Sequence, residues 1–255
     1  MKDSIVIVGL GEMGGVFARG LLRTGHPVMP VTREIDLGAA ARETPGPKLV
    51  LVAVAEDDLH PVLESMPDAW RTRLALLQNE LLPGDWERHA VPDPTVVAVW
   101  FEKKKGQDVK VLLPSPVYGP HADLLCNALT RIDIPARVVD DADEMLYELV
   151  RKNVYILTVN IAGLVVGGTV DALWREHNAL AREVADEVID IQEGLTGRTL
   201  DRARLIAGMV EAIEGDPEHK CMGRSAPARL TRALMHADAA GLEVPRLRAI
   251  AAEHP

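Results

Sequence analysis

The sequence predicts an α/β protein: a doubly wound, mainly parallel sheet followed by an all-helical C-terminal domain. Three observations carry this. Short runs of branched aliphatic residues alternate with helical patterns as far as Asp140. A glycine-rich turn joins the first run to the first helix. Beyond Asp143 only helical periodicities remain. The division therefore falls near residue 142, giving domains of residues 1–142 and 143–255.

Residues 4–8 (SIVIV) form a strand buried on both faces, as parallel strands under helices are. Residues 13–24 carry Val16, Phe17, Gly20 and Leu21 at helical spacing, and Gly25 ends the helix. A second strand lies in VMPVT, where Pro30 favours a less central place in the sheet. KLVLVAV at 48–54 and RLALL at 73–77 are the third and fourth strands, with a helix over 57–65 between them. Strands over 95–100 and 109–113 flank a Lys/Gly turn at 103–106, which predicts an antiparallel pair added at a sheet edge. A helix over 124–130 and a strand over 136–139 complete this half. The remainder reads as four helices, over 144–166, 170–193, 200–214 and 225–241.

Composition narrows the function. The 255 residues carry 38 acidic and 28 basic side chains, a net charge of −10. Such a chain repels nucleic acid and anionic membrane, so neither is an expected partner. Cys126 and Cys221 lie far apart and suit neither a zinc site nor a disulfide framework; reduced cytosolic thiols are expected. A first strand beginning at about residue 4 leads us to expect no signal peptide, and no apolar run reaches the length of a membrane span without polar interruption, so a cytoplasmic location is expected.

The chemistry begins at the glycine turn. Gly9, Leu10, Gly11, Glu12, Met13 and Gly14 match G-x-G-x-x-G between a strand and a helix, the dinucleotide-binding signature of a Rossmann-type unit. Gly9 permits the tight turn, Gly11 lets backbone approach a pyrophosphate, and Gly14 lets helix pack closely on strand. The helix N-terminus offers N–H donors and the positive end of its dipole to the phosphates. At the end of the second strand, Thr32 and Arg33 stand where an acidic residue would hold the ribose of NAD. A guanidinium there suits the 2′-phosphate, so NADP(H) is favoured over NAD, with Glu34 next in line.

A hydride-transfer enzyme also needs a proton donor and groups that orient a carbonyl. Asn79 follows the fourth strand directly, at the end of the sheet where ligands bind. Lys152 and Asn160 lie on an otherwise apolar helix. Eight residues set them about 12 Å apart along the axis and within about 80° in rotation, on one face. For Lys152 the competing reading is a side chain at the helix rim, reaching water. Asn153 and Asn160 form a competing pair suited to interhelical hydrogen bonds. The histidines are scattered without metal spacing, and Ser115 lacks a nucleophile context. Lys103–Lys105 reads as a solvated turn, and Glu183 with Glu187 as a solvated helix face.

Taken together, these residues resemble the ketopantoate reductase (2-dehydropantoate 2-reductase) family. Four features carry the resemblance: the turn at Gly9–Gly14; Leu77-Gln78-Asn79; Arg151-Lys152 with Asn160 eight residues on; and Gly241-Leu242-Glu243-Val244-Pro245. The resemblance implies an NADPH-dependent reductase of a small 2-oxo acid or related carbonyl, with its site between the two domains. Lys152 would be the general acid, and Asn79 and Asn160 would orient cofactor and substrate. The chain departs from the family where Glu80 replaces a glycine, where Ile156 replaces an asparagine, at Ala55-Glu56, and where a late glutamate gives way to Ser225 or Pro227. Alternatives are a β-hydroxyacid dehydrogenase, whose G-L-G-x-M-G the turn also fits, and a dinucleotide-binding sensor without turnover. A small-molecule substrate is the expected partner, and the apolar stretch 156–166 is compatible with a homodimer.

Overall fold

In a computed structural model, which describes residues Lys2–His254, the chain divides into two compact units, Met1–Leu149 and Val150–Pro255. The first unit opens with β1 (Ile5–Val8), α1 (Glu12–Arg23), β2 (Val28–Val31), α2 (Leu37–Glu43) and β3 (Leu49–Val52). A single 3-10 turn (Glu56–Asp58) leads into α3 (Leu59–Glu64), then α4 (Asp68–Arg71), β4 (Leu74–Leu76), α5 (Pro83–Glu87) and β5 (Thr95–Val97). A hairpin of β6 (Phe101–Glu102) and β7 (Lys110–Val111) follows, then β8 (Ser115–Tyr118), α6 (Ala122–Thr130) and β9 (Ala136–Val138).

Seven strands form one sheet in the order β2-β1-β3-β4-β5-β8-β9. The first five run parallel, β8 pairs antiparallel with β5, and β9 lies parallel to β8. Pro30 sits in β2 at the sheet edge, where a missing N–H costs no ladder bond on the outer side. The strands read as unbroken apolar runs because both faces are covered. All four residues of β1 and of β3 are buried. Ile5, Ile7, Leu49, Leu51, Ala75, Val97 and Val117 share one core with Phe17 and Leu21 of α1 and Leu125 and Leu129 of α6. Each such side chain contributes about 1.5–3 kcal/mol of burial. Helix α1 approaches α6 so closely that a Cβ on Gly20 would lie 2.4 Å from the Ala128 carbonyl oxygen.

The predicted edge pair is corrected in two ways. β5 is an interior strand, and the hairpin β6–β7 forms a separate two-stranded sheet. Its true antiparallel partner, β8, begins at Ser115 between two prolines, which masked it in the sequence. Pro116 is tolerated because the chain loses only one N–H, while Ser115 turns its hydroxyl onto the Trp100 N–H at 2.9 Å.

Helix α7 (Ala142–Val166) runs through the division between the units. It is the one described helix long and apolar enough to cross a membrane by length and composition, and 78% of its most apolar window is buried within the protein. The second unit continues with α8 (Val170–Glu176), α9 (Asn178–Thr196), α10 (Arg202–Gly215), α11 (Ala226–Ala240) and α12 (Pro245–Glu253). The predicted helix over 170–193 is two, broken at His177, which leaves the helical region at φ −125° and ψ 35°. α9 buries Ala181, Val184, Ala185, Val188 and Gln192 along one stripe, against α8, α10, α11 and α12.

Glu183 is exposed as expected, but Glu187 is not simply solvated. Both Glu187 oxygens accept backbone N–H bonds at the start of α12, from Arg246 at 2.7 Å and from Leu247 at 2.9 Å. Glu183 accepts from Arg246 Nε at 2.6 Å. A carboxylate here satisfies two of the donors that a helix N-terminus leaves open.

Candidate functional site

The glycine turn is built as its spacing requires. Gly9 leaves β1 at φ +90°, where a side chain would be strained, and a Cβ there would meet the Ala53 carbonyl oxygen at 2.8 Å. Its N–H extends the ladder to Val31 O at 2.9 Å. A Cβ on Gly14 would stand 2.1 Å from Gly9 O, so only glycine lets α1 start this close to β1. Gly11 has nothing within 4 Å of its missing Cβ and caps α1 with no side-chain hydrogen bond. The turn is thus closed on the sheet side and open on the other, with the first N–H groups of α1 uncapped by any side chain. Leu10 is exposed, and Met13 packs against the core. These features fit a pyrophosphate, which needs close backbone approach and helix N–H donors.

Charges around the turn are mixed. Glu12 begins α1 and pairs with Lys103 at 3.2 Å. Lys103 also donates to the carbonyls of Lys104 and Gln107, so it is a brace between hairpin and helix rather than a solvated turn residue. Thr32 and Arg33 emerge just beyond β2, both exposed. Arg33 donates to Asp58 at 2.8 Å with its side chain 89% exposed. An ion pair that exposed contributes about 0–1 kcal/mol, so the guanidinium is held loosely.

Beyond β4, buried Gln78 donates to Val52 O at 2.8 Å and to Val54 O at 3.3 Å, while accepting from Leu77 N–H at 3.1 Å. Gln78 therefore ties the exits of β3 and β4 together. Asn79 follows and donates to Glu56 at 2.7 Å. Glu80 completes the turn at φ +63°, a left-handed conformation that explains why a glycine suits this position. β1, β2 and β4 are parallel members of one sheet, so the glycine turn, Thr32–Arg33 and Asn79 gather at the same carboxyl end.

In the second unit, Lys152 is only 5% exposed, which overturns the rim reading. Its neighbour Arg151 braces the helix, donating to Gly208 O at 3.0 Å and Glu211 at 2.8 Å. Asn153 and Asn160 both make interhelical bonds, Asn153 donating to Gln192 of α9 at 3.0 Å and Asn160 accepting from Arg229 of α11 at 2.7 Å. Asn160 is buried and donates to Cys221 O at 3.2 Å. That carbonyl comes near because Gly163 admits a strap, the segment 216–225 between α10 and α11: a Cβ on Gly163 would lie 2.7 Å from the Cβ of Cys221. The strap is pinned to α8 by Val170 N–H to His219 O and Cys221 N–H to Gly168 O. Burial pushes the Cys221 thiol up to about 11.

Sequence reasoning missed Arg229. This α11 residue is buried and donates from Nη1 to Asn160 Oδ1 at 2.7 Å. Its partner lies 69 positions away, and the helix face alone gives no sign of burial. His60 and His89, scattered in sequence, meet at 3.1 Å beside Arg88 and Asp85.

These features describe a Rossmann-type α/β unit followed by a helical unit with a buried polar cluster. The chain has the ketopantoate reductase fold. It superposes on a PanE/ApbA family ketopantoate reductase from Ralstonia eutropha JMP134 with a TM-score of 0.66 at 18% identity, over 98% of this chain and 96% of that one. For a 2-dehydropantoate 2-reductase from Methylococcus capsulatus the TM-score is 0.69 at 12% identity, over 98% and 94%. A D-mandelate dehydrogenase in complex with NADH matches with 0.67 at 15% identity, over 97% and 96%. No family model and no curated protein sequence matches the chain.

Proposed function

We propose that this chain is an NADPH-dependent oxidoreductase that reduces a small 2-oxo acid or a related carbonyl. The observation that carries the reading is the glycine turn, closed against the sheet by Gly9 and Gly14 and open above Gly11. Residues 9–14 would hold the pyrophosphate, and Thr32 with Arg33 the 2′-phosphate. A bound NADPH supplies hydride to the carbonyl carbon. Lys152 donates a proton from Nζ to the carbonyl oxygen, and Asn79 and Asn160 orient the reactants by their amides. A buried lysine suits this role because water is kept from competing for the proton. The two solved enzyme types named above support this direction, one by its reductase name and one by its bound NADH. The two units then serve as cofactor domain and substrate domain.

The test is a titration with NADPH and NADH, followed by a panel of 2-oxo acids with NADPH oxidation as the readout. NADPH should bind about tenfold more tightly than NADH, and Arg33→Ala should narrow that gap. Lys152→Ala should lower kcat by about 10²–10⁴ without changing nucleotide affinity. Absence of any nucleotide binding would overturn the proposal. Binding without turnover on any carbonyl would make the chain a nucleotide sensor, and full activity without Lys152 would remove it as the acid.

A further inference from the structure

We infer that Lys103 binds the diphosphate of the dinucleotide, presented to the glycine turn by the hairpin β6–β7 and held by Glu12 until a nucleotide displaces that carboxylate. The inference rests on the dinucleotide reading of the turn, and it does not depend on whether a carbonyl is then reduced.

The hairpin is fixed at its base. Phe101 is buried with its ring centroid 6.2 Å from that of Phe17 in α1, and Leu112 N–H bonds to Trp100 O at 2.8 Å. The chain then reverses through Gly106 at φ +75°, with Gln107 N–H returning to Lys104 O at 3.1 Å. Lys103 opens this reversal, and its ammonium donates to Lys104 O at 2.9 Å and to Gln107 O at 2.6 Å. An ammonium has three donors. The remaining one serves Glu12 Oε2, at 3.2 Å.

That last contact is the exchangeable one. Charge-assisted N–H to carboxylate bonds close to about 2.7–2.9 Å, and this one is longer. The Glu12 side chain is 45% exposed and can turn to water, whereas the Lys103 side chain is 22% exposed and pinned by two carbonyls. The pair stands on the wall of a cavity of about 570 Å³, lined by Gly11, Glu12 and Gly15 on one side and by Lys103 and Val111 of the hairpin on the other. The ammonium therefore faces the same open space as the uncapped start of α1. Lys104 is turned aside, onto Glu102 at 3.0 Å.

Charge explains the arrangement. A diphosphate at Gly11 brings negative charge to the first turn of α1, where Glu12 already carries one, and like charges in contact oppose binding. Passing the third Lys103 N–H from the carboxylate to a phosphate oxygen offsets that repulsion with a group whose position is already fixed. The ligand class is any nucleotide with this diphosphate. NADH and NADPH share it, so Lys103 adds affinity for both, while Arg33 distinguishes them.

The experiment measures binding of NADPH, NADH and ADP-ribose by calorimetry, with no carbonyl present. ADP-ribose keeps the diphosphate and lacks the nicotinamide. Lys103→Met should weaken all three by a similar factor of about 10. Lys103→Arg should stay within about threefold of the wild type, because charge and donors survive. Glu12→Gln should tighten all three by about 3- to 10-fold, because the resident acceptor loses its charge. A lysine that only braces the helix through Glu12 predicts the opposite sign for Glu12→Gln. Weaker binding in that variant, or unchanged affinities in Lys103→Met, overturns the inference and leaves the reductase reading standing. The expected affinity changes without reduction of any 2-oxo acid would sink the reductase reading and leave the Lys103 site in place. No binding of any of the three nucleotides to the wild type would overturn both. Should the methionine variant fail to fold, judged by its thermal transition, the sign of the Glu12→Gln effect decides.

Discussion

Single residues carry two of the sharper consequences. Glu80 holds φ +63° where a non-glycine residue is strained by about 1–2 kcal/mol. Glu80→Gly should relieve that strain, less the entropy gained by the unfolded chain, for a net gain of about 0.5 kcal/mol. A urea unfolding midpoint that rises at unchanged slope would confirm it, and a fall would show that the glutamate side chain earns its strain. His60 gives a pH dependence. Arg88 must donate to His60 Nε2, at 2.8 Å, so His60 carries its proton on Nδ1 and passes a hydrogen bond to His89. That network holds His60 neutral, and burial followed by Arg88 lowers its pKa below 6.5. The unfolded chain binds this proton more readily, so stability is intact above pH 6.5 and declines as pH falls below it. The thermal midpoint should drop between pH 7.5 and 5.5 more steeply in the wild type than in His60→Gln; equal slopes would contradict the tautomer chain.

At the scale of elements, α12 shows how a short helix is held. It has nine residues and a left-handed Val244 before it, and its N-terminus is capped from another helix by Glu187. Glu187→Ala should cost about 1–2 kcal/mol and loosen residues 245–253 to hydrogen exchange first. Glu183→Ala should cost less than about 1 kcal/mol, since its ion pair with Arg246 is half exposed. Equal losses would mean that charge, not capping, anchors the helix. What could be read at this scale followed the strength of the local pattern. The apolar runs of β1, β3 and β4, with their glycine and proline boundaries, predicted strands without any tertiary knowledge. α2, α4 and α5, at seven, four and five residues, are too short for a periodicity to register. β8 was hidden by its two prolines, and the break at His177 by an apolar stripe that continues across it.

Across the whole molecule, the α/β half and the helical half were legible, because short apolar runs alternating with helical patterns give way to helical periodicity alone after residue 142. The glycine turn was legible too: two of its glycines answer local backbone demands, seen in the φ of Gly9 and the contact of Gly14. Contacts between distant segments were not. For Lys152 a rim reading stood open beside the catalytic one because sequence does not state what covers a helix. Glu187 was read as solvated and Arg229 was missed because their partners lie 60 or more positions away.

The close approach of Gly20 to Ala128 bears on how the first unit is made. The helix synthesised first is sealed by the helix synthesised nearly last in that unit, more than a hundred residues downstream. A nascent chain leaving the ribosome can form β1, α1 and β2 early, since those contacts are local. It cannot cover Phe17 and Leu21 until α6 has emerged. The glycine turn therefore takes shape on a helix whose inner face is still wet, and the core of the unit is complete only when its seventh strand joins the sheet.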